Sequence, residues 1–280
     1  SAGTAYPGGK GPDLARSLVQ LGYINICLYA FAGGKNKTEI EKWMQGHHVP
    51  YHITPIGDET ITVRITGPNS IERVHPMDPM VTNTELLNLE ERLEKGIRDG
   101  DVLAVVGSLP RNLDASYFRS VIEKFHDRVI TVFDSRLVLP FRLAMESSPH
   151  IVKPNKDEFQ NYTKCESYSI QDYADLASQI RKEKGIQQLI ISLGKDGAIS
   201  VTDEGIFHAY ALDGEVICTV GAGDAFLSGY LSKYLKSGSK LDSLTFATAA
   251  ARSHLSRPGN AGADLAETQR LLGKVEIKKL

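Results

Sequence analysis

Apolar residues recur along the chain with two alternating periods. Leu14, Leu18 and Leu21 are spaced as on one face of a helix that Gly22 ends, and a strand follows over 23–31. Strands that alternate with helices predict a mostly parallel sheet covered by helices, with ligand sites at the carboxyl ends of the strands. Helical spacing also predicts helices over 38–44, 84–96, 115–125, 139–145, 169–183, 241–256 and 264–272. Short apolar runs predict strands over 101–106, 128–133, 151–153, 188–192, 197–202 and 205–210.

The stretch 51–76 interrupts this rhythm. Residues 59–66 alternate between polar and apolar, and a turn follows at 67–70. Residues 71–75 then form a second strand that runs back beside the first, which predicts a β-hairpin. A hairpin with one apolar face must cover another surface, so we expect a lid over a site, over a second subunit, or over both. No repeat or low-complexity tract divides the rest, and we expect one domain over 1–280.

The stretch 218–230 carries the strongest indication of chemistry. Gly221 and Gly223 shape a turn that opens an apolar helix, and the amides of such a turn, with the positive end of the helix dipole, form an anion hole. Asp224 stands at its mouth, where a carboxylate suits removal of a proton from a hydroxyl that attacks phosphate. An N-capped helix after a tight turn is the alternative interpretation of these residues.

Two further stretches follow strands. Asn155 and Glu158 lie three residues apart on one helical face, and they suit Mg²⁺, which takes few protein oxygens and several waters beside phosphate oxygens. A capped helix start with Asn155 as N-cap is the alternative. The loop 192–197 can wrap nucleotide phosphates with its backbone amides, or it can form a plain hairpin turn.

The glycines at 8–11 precede the first helix and lack the Walker spacing of a P-loop. Glycines at this place would let a polyol approach the main chain, with Lys10 or Asp13 hydrogen-bonding its hydroxyls.

Composition narrows the classes of partner. The 280 residues carry a formal net charge of -2 at pH 7 and a pI near 6.4, which leaves no basic face for nucleic acid or for an anionic membrane. No apolar run approaches the roughly 18 residues of a membrane span. The three cysteines lack the spacing of a disulfide framework or a metal site. We therefore expect a soluble cytoplasmic protein with structural thiols.

Together these stretches resemble the ribokinase-like, phosphofructokinase-B family of sugar kinases, over nearly the whole chain. The first family signature is similar to residues 8–15 and the second to 220–229, with its Gly-Ala-Gly-Asp core. Between them, 107–110, 153–158 and 192–197 resemble the branch of the 1-phosphofructokinases and tagatose-6-phosphate kinases. The resemblance implies a three-layer α/β/α sandwich with a mostly parallel central sheet and a small β lid. In many members this lid clasps that of a second subunit, so we expect a homodimer.

The resemblance also implies a role for each matching residue, with ATP and Mg²⁺ as the required cofactors. Asp224 would activate the acceptor hydroxyl as a base, and Gly221, Ala222 and Gly223 would supply the anion hole. Asn155 and Glu158 would organise Mg²⁺. The remaining assignments are Lys153, Ser192, Gly194 and Gly197 to the ATP site, Ala249 and Ser253 to the adenine, and Gly8, Gly9, Lys10 and Asp13 to the sugar.

Two departures from the family pattern concern the substrate. The family carries Asn at the position of Asp13, and its phosphosugar members carry Thr-Arg-x-Asn where this chain has residues 60–63. The lost arginine removes a bidentate phosphate clamp, for which Lys10, Arg64 or Arg73 would substitute. The family's first strand, which carries an Asp for sugar hydroxyls, has no match in the sequence.

The leading hypothesis is a kinase that transfers the γ-phosphate of ATP to a phosphorylated ketose such as fructose 1-phosphate or tagatose 6-phosphate. A kinase of an unphosphorylated sugar or nucleoside, and a catalytically silent sugar- or nucleotide-binding homologue, are the alternatives. A dinucleotide-binding oxidoreductase is disfavoured. Neither glycine motif has the Gly-x-Gly-x-x-Gly order after a first strand with an acidic residue about 20 positions on.

Overall fold

A computed structural model describes residues 5–7, 9–60, 62–67, 70–73, 77–164, 169–259 and 261–280. Its strands are β1 (Ala5–Pro7), β2 (Leu28–Gly33), β3 (Tyr51–Ile56), β4 (Thr62–Gly67), β5 (Ser70–Arg73), β6 (Val102–Val106), β7 (Ile130–Asp134), β8 (Ile151–Val152), β9 (Gln188–Ser192), β10 (Ala198–Val201), β11 (Ile206–Ala209) and β12 (Ile277–Lys279). Its α-helices are α1 (Lys10–Gln20), α2 (Gly34–Gly46), α3 (Asn83–Gly96), α4 (Tyr117–Phe125), α5 (Val138–Met145), α6 (Lys156–Thr163), α7 (Ile170–Glu183), α8 (Ala222–Ser237), α9 (Lys240–Leu255) and α10 (Leu265–Leu271).

The predicted alternation of helices and strands is confirmed, with differences at some boundaries. Strand β2 begins at Leu28 rather than at Tyr23, because pairing with β3 starts there. Helix α2 begins at Gly34 rather than at Thr38. The short strands β1 and β12 are absent from the prediction, since three residues carry too little periodicity to be recognised.

Two compact units share the chain. The first comprises Ser1–Gly96, Leu109–Leu113 and Asp213–Lys274, as far as these ranges are described. The second comprises Ile97–Ser108, Asp114–Leu212 and Val275–Leu280. The single kinase domain over 1–280 stays a prediction.

The second unit contains a seven-stranded sheet in the order β12-β11-β10-β9-β8-β7-β6. Strands β6 to β9 are parallel, while β10, β11 and β12 join in antiparallel pairs. The four residues of β10 and the first four of β9 are buried, as expected for strands covered by helices on their faces. The predicted α/β class, with helices flanking a central sheet, is confirmed. Half of the strand pairings in this sheet are parallel.

In the first unit, β2 and β3 form a parallel pair over Leu28–Gly33 and Tyr51–Ile56. Their inward side chains build a core with α1 and α2 that includes Ala32, Met44 and Ile53. The residues 51–56 therefore belong to the α/β part of this unit. The predicted lid bounds of 51–76 are wrong at their amino end, because β3 pairs with β2 and not with the hairpin.

The predicted hairpin is confirmed in its described residues. Strands β4 and β5 pair antiparallel with an irregular register between Ile65 and Gly67, and β1 adds to β4 as a third antiparallel strand. The prediction also covers 61, 68, 69 and 74–76, which lie outside the described residues.

Three helices of the first unit pack into one layer. Ser228 Oγ of α8 donates to Leu14 O of α1 at 3.1 Å, and eight residues further along both segments, Lys236 Nζ donates to Gly22 O at 3.0 Å. Helices α1 and α8 are therefore parallel. Helix α9 packs closely on α8, because a Cβ built on Gly229 would lie 2.7 Å from Ala250 Cβ.

Within the described residues, no helix combines the length and the apolar character that crossing a membrane would require.

Candidate active site

The N-terminus of α8 starts on a glycine turn without a side-chain cap. Gly221 has φ of +89°, a left-handed conformation that glycine adopts without steric cost, and no side chain bonds to the first helical amides from this position. The Ala222 N–H donates to Thr219 O at 3.1 Å, which closes the turn. Of the three predicted anion-hole amides, that of Ala222 is thus engaged in this conformation. Gly223 is exposed and, at the second helical position, has no acceptor within the helix.

Asp224 lies in the first turn of α8 and is half-buried. A carboxylate in the first turn interacts favourably with the positive end of the helix dipole. The Asp224 carbonyl accepts from Ser228 Oγ at 2.7 Å, and the same hydroxyl bonds to α1. This first turn is therefore attached to α1 as well as to its own helix.

The parallel arrangement of α1 and α8 brings predicted substrate and catalytic residues to the same end of a helix pair. Asp224 lies four residues before Ser228, and Lys10 lies four residues before Leu14, its bonding partner. Asp224 and Lys10 are therefore each about one turn N-terminal to the same hydrogen bond. Gly9, the N-cap of α1, is exposed with φ of +130°.

Asp13 forms an ion pair with Arg16 of the same helix, with 3.5 Å between Oδ1 and Nη2. The Arg16 guanidinium is buried and lies 4.9 Å from the ring centroid of Trp43. The carboxylate of Asp13 is thus held on α1 by a buried cation. An Asn at this position would lack the charge of that pair. The residue that departs from the family pattern, Asp13, therefore has a charged partner in Arg16.

In the second unit, Gly107, Asp134 and Lys153 meet at the carboxyl ends of β6, β7 and β8. The Gly107 N–H donates to Asp134 O at 3.1 Å. Lys153 Nζ lies 3.1 Å from Asp134 Oδ2, and both side chains are buried, at 2 % and 0 % exposure. The role predicted for Lys153, to line the ATP site, stays a prediction. Its ammonium group joins two strand ends inside the protein, because a buried cation requires a counter-charge.

Asn155 and Glu158 form a capping box at the N-terminus of α6. Asn155 Oδ1 accepts from the Glu158 N–H at 2.8 Å, and Glu158 Oε2 accepts from the Asn155 N–H at 2.8 Å. The alternative interpretation, a capped helix start, therefore describes this conformation. Asn155 is exposed and Glu158 half-exposed, so both can also meet a hydrated Mg²⁺ through water, as this ion prefers.

No group of three or more His, Cys, Asp or Glu side chains is arranged to hold a metal ion in the described parts of the chain. The pair proposed for Mg²⁺ is smaller than such a group, since one of its two members is an amide. Carboxylate and amide oxygens at the end of a strand remain suitable outer partners for a magnesium ion that keeps most of its waters.

The loop after β9 is exposed from Gly194 to Asp196 and forms one 3₁₀ turn. Gly194 and Gly197 have φ of +62° and +86°, and a Cβ on Gly197 would lie 2.0 Å from Ala209 O. Ser192 is half-buried and its N–H donates to Pro154 O. The loop therefore adjoins the start of α6, so the residues predicted for ATP and for Mg²⁺ lie at one edge of the sheet.

The predicted adenine residues lie inside the protein. Ala249 and Ser253 both have 0 % exposure. Ser253 Oγ accepts from the Asp264 N–H at 3.0 Å, which anchors the N-cap of α10. Their role beside adenine stays a prediction, and their burial does not support direct contact in this conformation.

Some predicted residues fall outside the described part of the structure. Gly8 and Cys165 lie outside the described residues, and Arg64 lies on β4 with its side chain outside them. Of the other thiols, Cys27 is exposed and Cys218 is buried, and both are free.

Sequence reasoning missed two buried groups beside the predicted sites. Asp134 ends a buried apolar strand, and a polar residue at that place is a signal that could have identified it. His254 bonds to the carbonyl of Val220 from the far end of another helix, at 2.8 Å. No local pattern marks that contact.

A partly parallel sheet with polar loops after its strands is an architecture that α/β proteins use to bind nucleotides and sugars. Residues 1–266 match the family described as pfkB family carbohydrate kinase, and the chain therefore belongs to this family. The resemblance stated from the sequence is confirmed.

Two named proteins illustrate the similarity. The chain is 28% identical to 1-phosphofructokinase of Haemophilus influenzae over 284 residues, covering 97% of this chain and 87% of that protein. The structure matches phosphofructokinase-2 of Escherichia coli in complex with substrates and products, with a TM-score of 0.86 and 22% identity, covering 95% of this chain and 87% of the other. A tetrameric inhibited form of the same enzyme gives a TM-score of 0.84 at 22% identity, with 96% and 88% covered. These similarities support a sugar kinase with the family fold.

Proposed function

We propose that this sugar kinase transfers the γ-phosphate of ATP to a hydroxyl of a phosphorylated ketose, such as fructose 1-phosphate or tagatose 6-phosphate. The observation that carries the proposal is the parallel pair of α1 and α8. It puts Asp224, the first amides of α8, and the substrate candidates Gly9, Lys10 and Asp13 at one end of a helix layer. A base, an anion hole and polyol-binding groups are the parts that attack on a phosphoryl group needs.

In this proposal the catalytic and metal-binding residues have separate roles. Asp224 accepts the proton of the attacking hydroxyl, and the amides of Gly221 and Gly223 hold the charge that develops on the transferred phosphoryl oxygens. Asn155 and Glu158 would hold Mg²⁺. When bound, that ion would neutralise charge on the nucleotide phosphates.

The acceptor is proposed from the names of the relatives, of which one matched over 97% of this chain is a 1-phosphofructokinase. Lys10, Arg64 and Arg73 are the candidate partners for the phosphate that the acceptor already carries. A second candidate is an unphosphorylated sugar. It is favoured by the sequence at 60–63, where the phosphosugar branch has an arginine and this chain has Ile61.

A parallel assay separates these candidates. Fructose 1-phosphate, tagatose 6-phosphate, fructose and ribose are each incubated with the protein, ATP and Mg²⁺, and ADP release is measured. We expect ADP with a phosphorylated ketose and little with fructose or ribose. ADP release only with an unphosphorylated sugar would support the second candidate, and no release with any acceptor would contradict the kinase and favour a silent homologue.

We further propose a cytoplasmic homodimer joined through the β1-β4-β5 sheet. An antiparallel sheet of three short strands leaves edges that a second copy can cover. Deletion of 60–74 is expected to give monomers with weaker sugar affinity in sedimentation and binding measurements. A dimer that persists after deletion would place the interface elsewhere.

A further inference from the structure

The last turn of α9 holds the segment that leads into α8. Arg252 Nη2 donates to Glu215 O at 2.7 Å, and Leu255 O accepts from Ile217 N–H at 2.8 Å. His254 Nε2 lies 2.8 Å from Val220 O. These contacts attach the segment before the glycine turn to the end of α9, at three points along its length.

His254 differs from the other two contacts, because its bond falls within the turn, on the residue directly before Gly221. The side chain has 0 % exposure. A carbonyl oxygen can only accept, so Nε2 carries the proton and donates. Burial lowers the pKa of His254, against the opposing effect of its bond to Val220. The ring is therefore a neutral donor with its Nε2–H aimed at Val220 O.

The bond also fixes the amide that follows. In a trans peptide the carbonyl oxygen and the next N–H lie in one plane and point in opposite directions. Since Val220 O points at His254, the N–H of Gly221 points away from the ring. Gly221 has φ of +89° and ψ of -1°, with no side-chain cap that would hold this peptide in place.

We propose that His254 is a positioning residue that aims the Gly221 N–H at the phosphoryl group during transfer. The inference rests on the proposed function for its catalytic consequence, and on hydrogen-bond geometry for its structural part. A glycine peptide turns easily, and each misaligned donor weakens stabilisation of the transition state more than binding of the ground state.

Two substitutions separate the bond from the packing of the ring. In H254Q the amide Nε2 can reach Val220 O and donate, whereas H254L fills similar space and cannot donate. H126L is the matched control, because His126 Nε2 also contacts a backbone carbonyl, that of Ser148 at 3.1 Å, on a segment with no part in the proposed site.

Steady-state kinetics with the acceptor found in the screen give the first readout. We expect H254L to lower kcat about 10–100-fold with KM for ATP little changed, and H254Q and H126L to stay near wild type. Equal losses in H254Q and H254L, with equal falls in Tm, would reduce His254 to a packing role and overturn the proposal. Retained kcat in H254L would overturn it as well.

The backbone resonance of the Gly221 amide gives a second readout that needs no activity. In ligand-free protein labelled with ¹⁵N-glycine, H254L should shift this resonance and H254Q should leave it near its wild-type position. An unmoved resonance in H254L would overturn the positioning role. If the wild type proves inactive on all acceptors, the kinase proposal fails, and this spectrum still decides the geometry.

Discussion

The helices α6 and α8 both begin beside residues that the sequence marks as functional, yet only α6 has a side-chain cap at its N-terminus. At α6 the side chains of Asn155 and Glu158 satisfy backbone amides in a capping box. At α8 the N-cap is Gly221, which offers no side chain. A side-chain cap typically stabilises a helix by about 1 kcal/mol, so an uncapped start gives up that stabilisation and leaves its donors for another acceptor.

The two helix starts differ in what determines their shape. The α6 terminus is complete in itself, and any metal ion there must work through water or through opening of the box. The α8 terminus depends on its surroundings for its shape, namely on α1 through Ser228 and on α9 through Gly229 and His254. Three changes test this contrast, and a fourth concerns the strand β8 that precedes α6.

The largest effect is expected from D224N at the uncapped terminus. Loss of the base should lower kcat about 10²–10⁴-fold while ATP binding is retained, because the amide side chain keeps the shape and cannot take the proton. Asp242 in the first turn of α9 is the control, since it is an exposed acidic residue at a helix start in the same unit. A D224N enzyme as active as D242N would exclude Asp224 as the base.

The next effect concerns the support of α8 by α9. A Cβ at Gly229 would lie 2.7 Å from Ala250 Cβ and 2.9 Å from Ala247 Cα, so G229A should lower the free energy of unfolding by about 1–3 kcal/mol. Alanine's higher helix propensity, about 1 kcal/mol, does not offset backbone overlap that cannot relax.

Chemical denaturation checks this prediction, with G46A in α2 as the control. Nothing lies within 4 Å of a Cβ built there, so G46A should be neutral or stabilising. The double variant G229A/A250G should recover part of the loss. Equal stability of G229A and wild type would show that the helix pair is not closely packed.

A smaller effect is expected at the capped terminus. E158Q keeps an acceptor for the Asn155 N–H, so the free energy of unfolding should stay near that of wild type. Because the charge is lost, the Mg²⁺ concentration for half-maximal activity should rise about 5-fold, which corresponds to about 1 kcal/mol for an exposed charge contact. D172N is the control, because Asp172 forms the same type of capping box with Ser169 on α7. An identical Mg²⁺ requirement in E158Q and D172N would leave Glu158 with its capping role alone.

The smallest effect concerns the amino end of β8. His150 Nδ1 accepts from the Thr131 N–H at 3.1 Å, and burial first, then neighbouring His126, lowers the pKa of His150, with Asp127 acting in the opposite direction. A neutral histidine with a lowered pKa contributes stability that is lost as pH falls below its unfolded value of about 6.5.

Replacement by asparagine, H150N, keeps an acceptor near the Nδ1 position and removes the titration. The loss of Tm between pH 7.5 and pH 5.5 should therefore be smaller in H150N than in wild type. Parallel pH profiles of the two proteins would mean that protonation of His150 does not oppose folding.

Much of this fold follows from local pattern. The helix and strand alternation, the hairpin and the glycine turn before α8 were all predictable, because periodicity and glycine placement are local properties. The pairing of β3 with β2 was not, since a strand's partner depends on the whole topology. The Asn155 and Glu158 spacing was ambiguous for a physical reason, because the same residues suit a capping box and a hydrated cation.

The partners of buried polar side chains could not be predicted from the sequence. Lys153 meets Asp134 from another strand, and His254 meets Val220 from another helix. Neither separation in the chain carries a periodic signal. Such contacts decide which polar groups are already engaged, as the Lys153 ammonium is with the Asp134 carboxylate, while its role at the ATP site stays a prediction.

The ¹⁵N-glycine spectrum of the protein, titrated with ADP, Mg²⁺ and aluminium fluoride as a mimic of the group in transfer, tests whether the first amides of α8 receive a phosphoryl group. We expect the Gly221 and Gly223 resonances to shift as the complex forms, while the resonance of Gly238, the C-cap of the same helix, stays in place. Saturable binding that leaves both Gly221 and Gly223 unmoved would contradict this expectation.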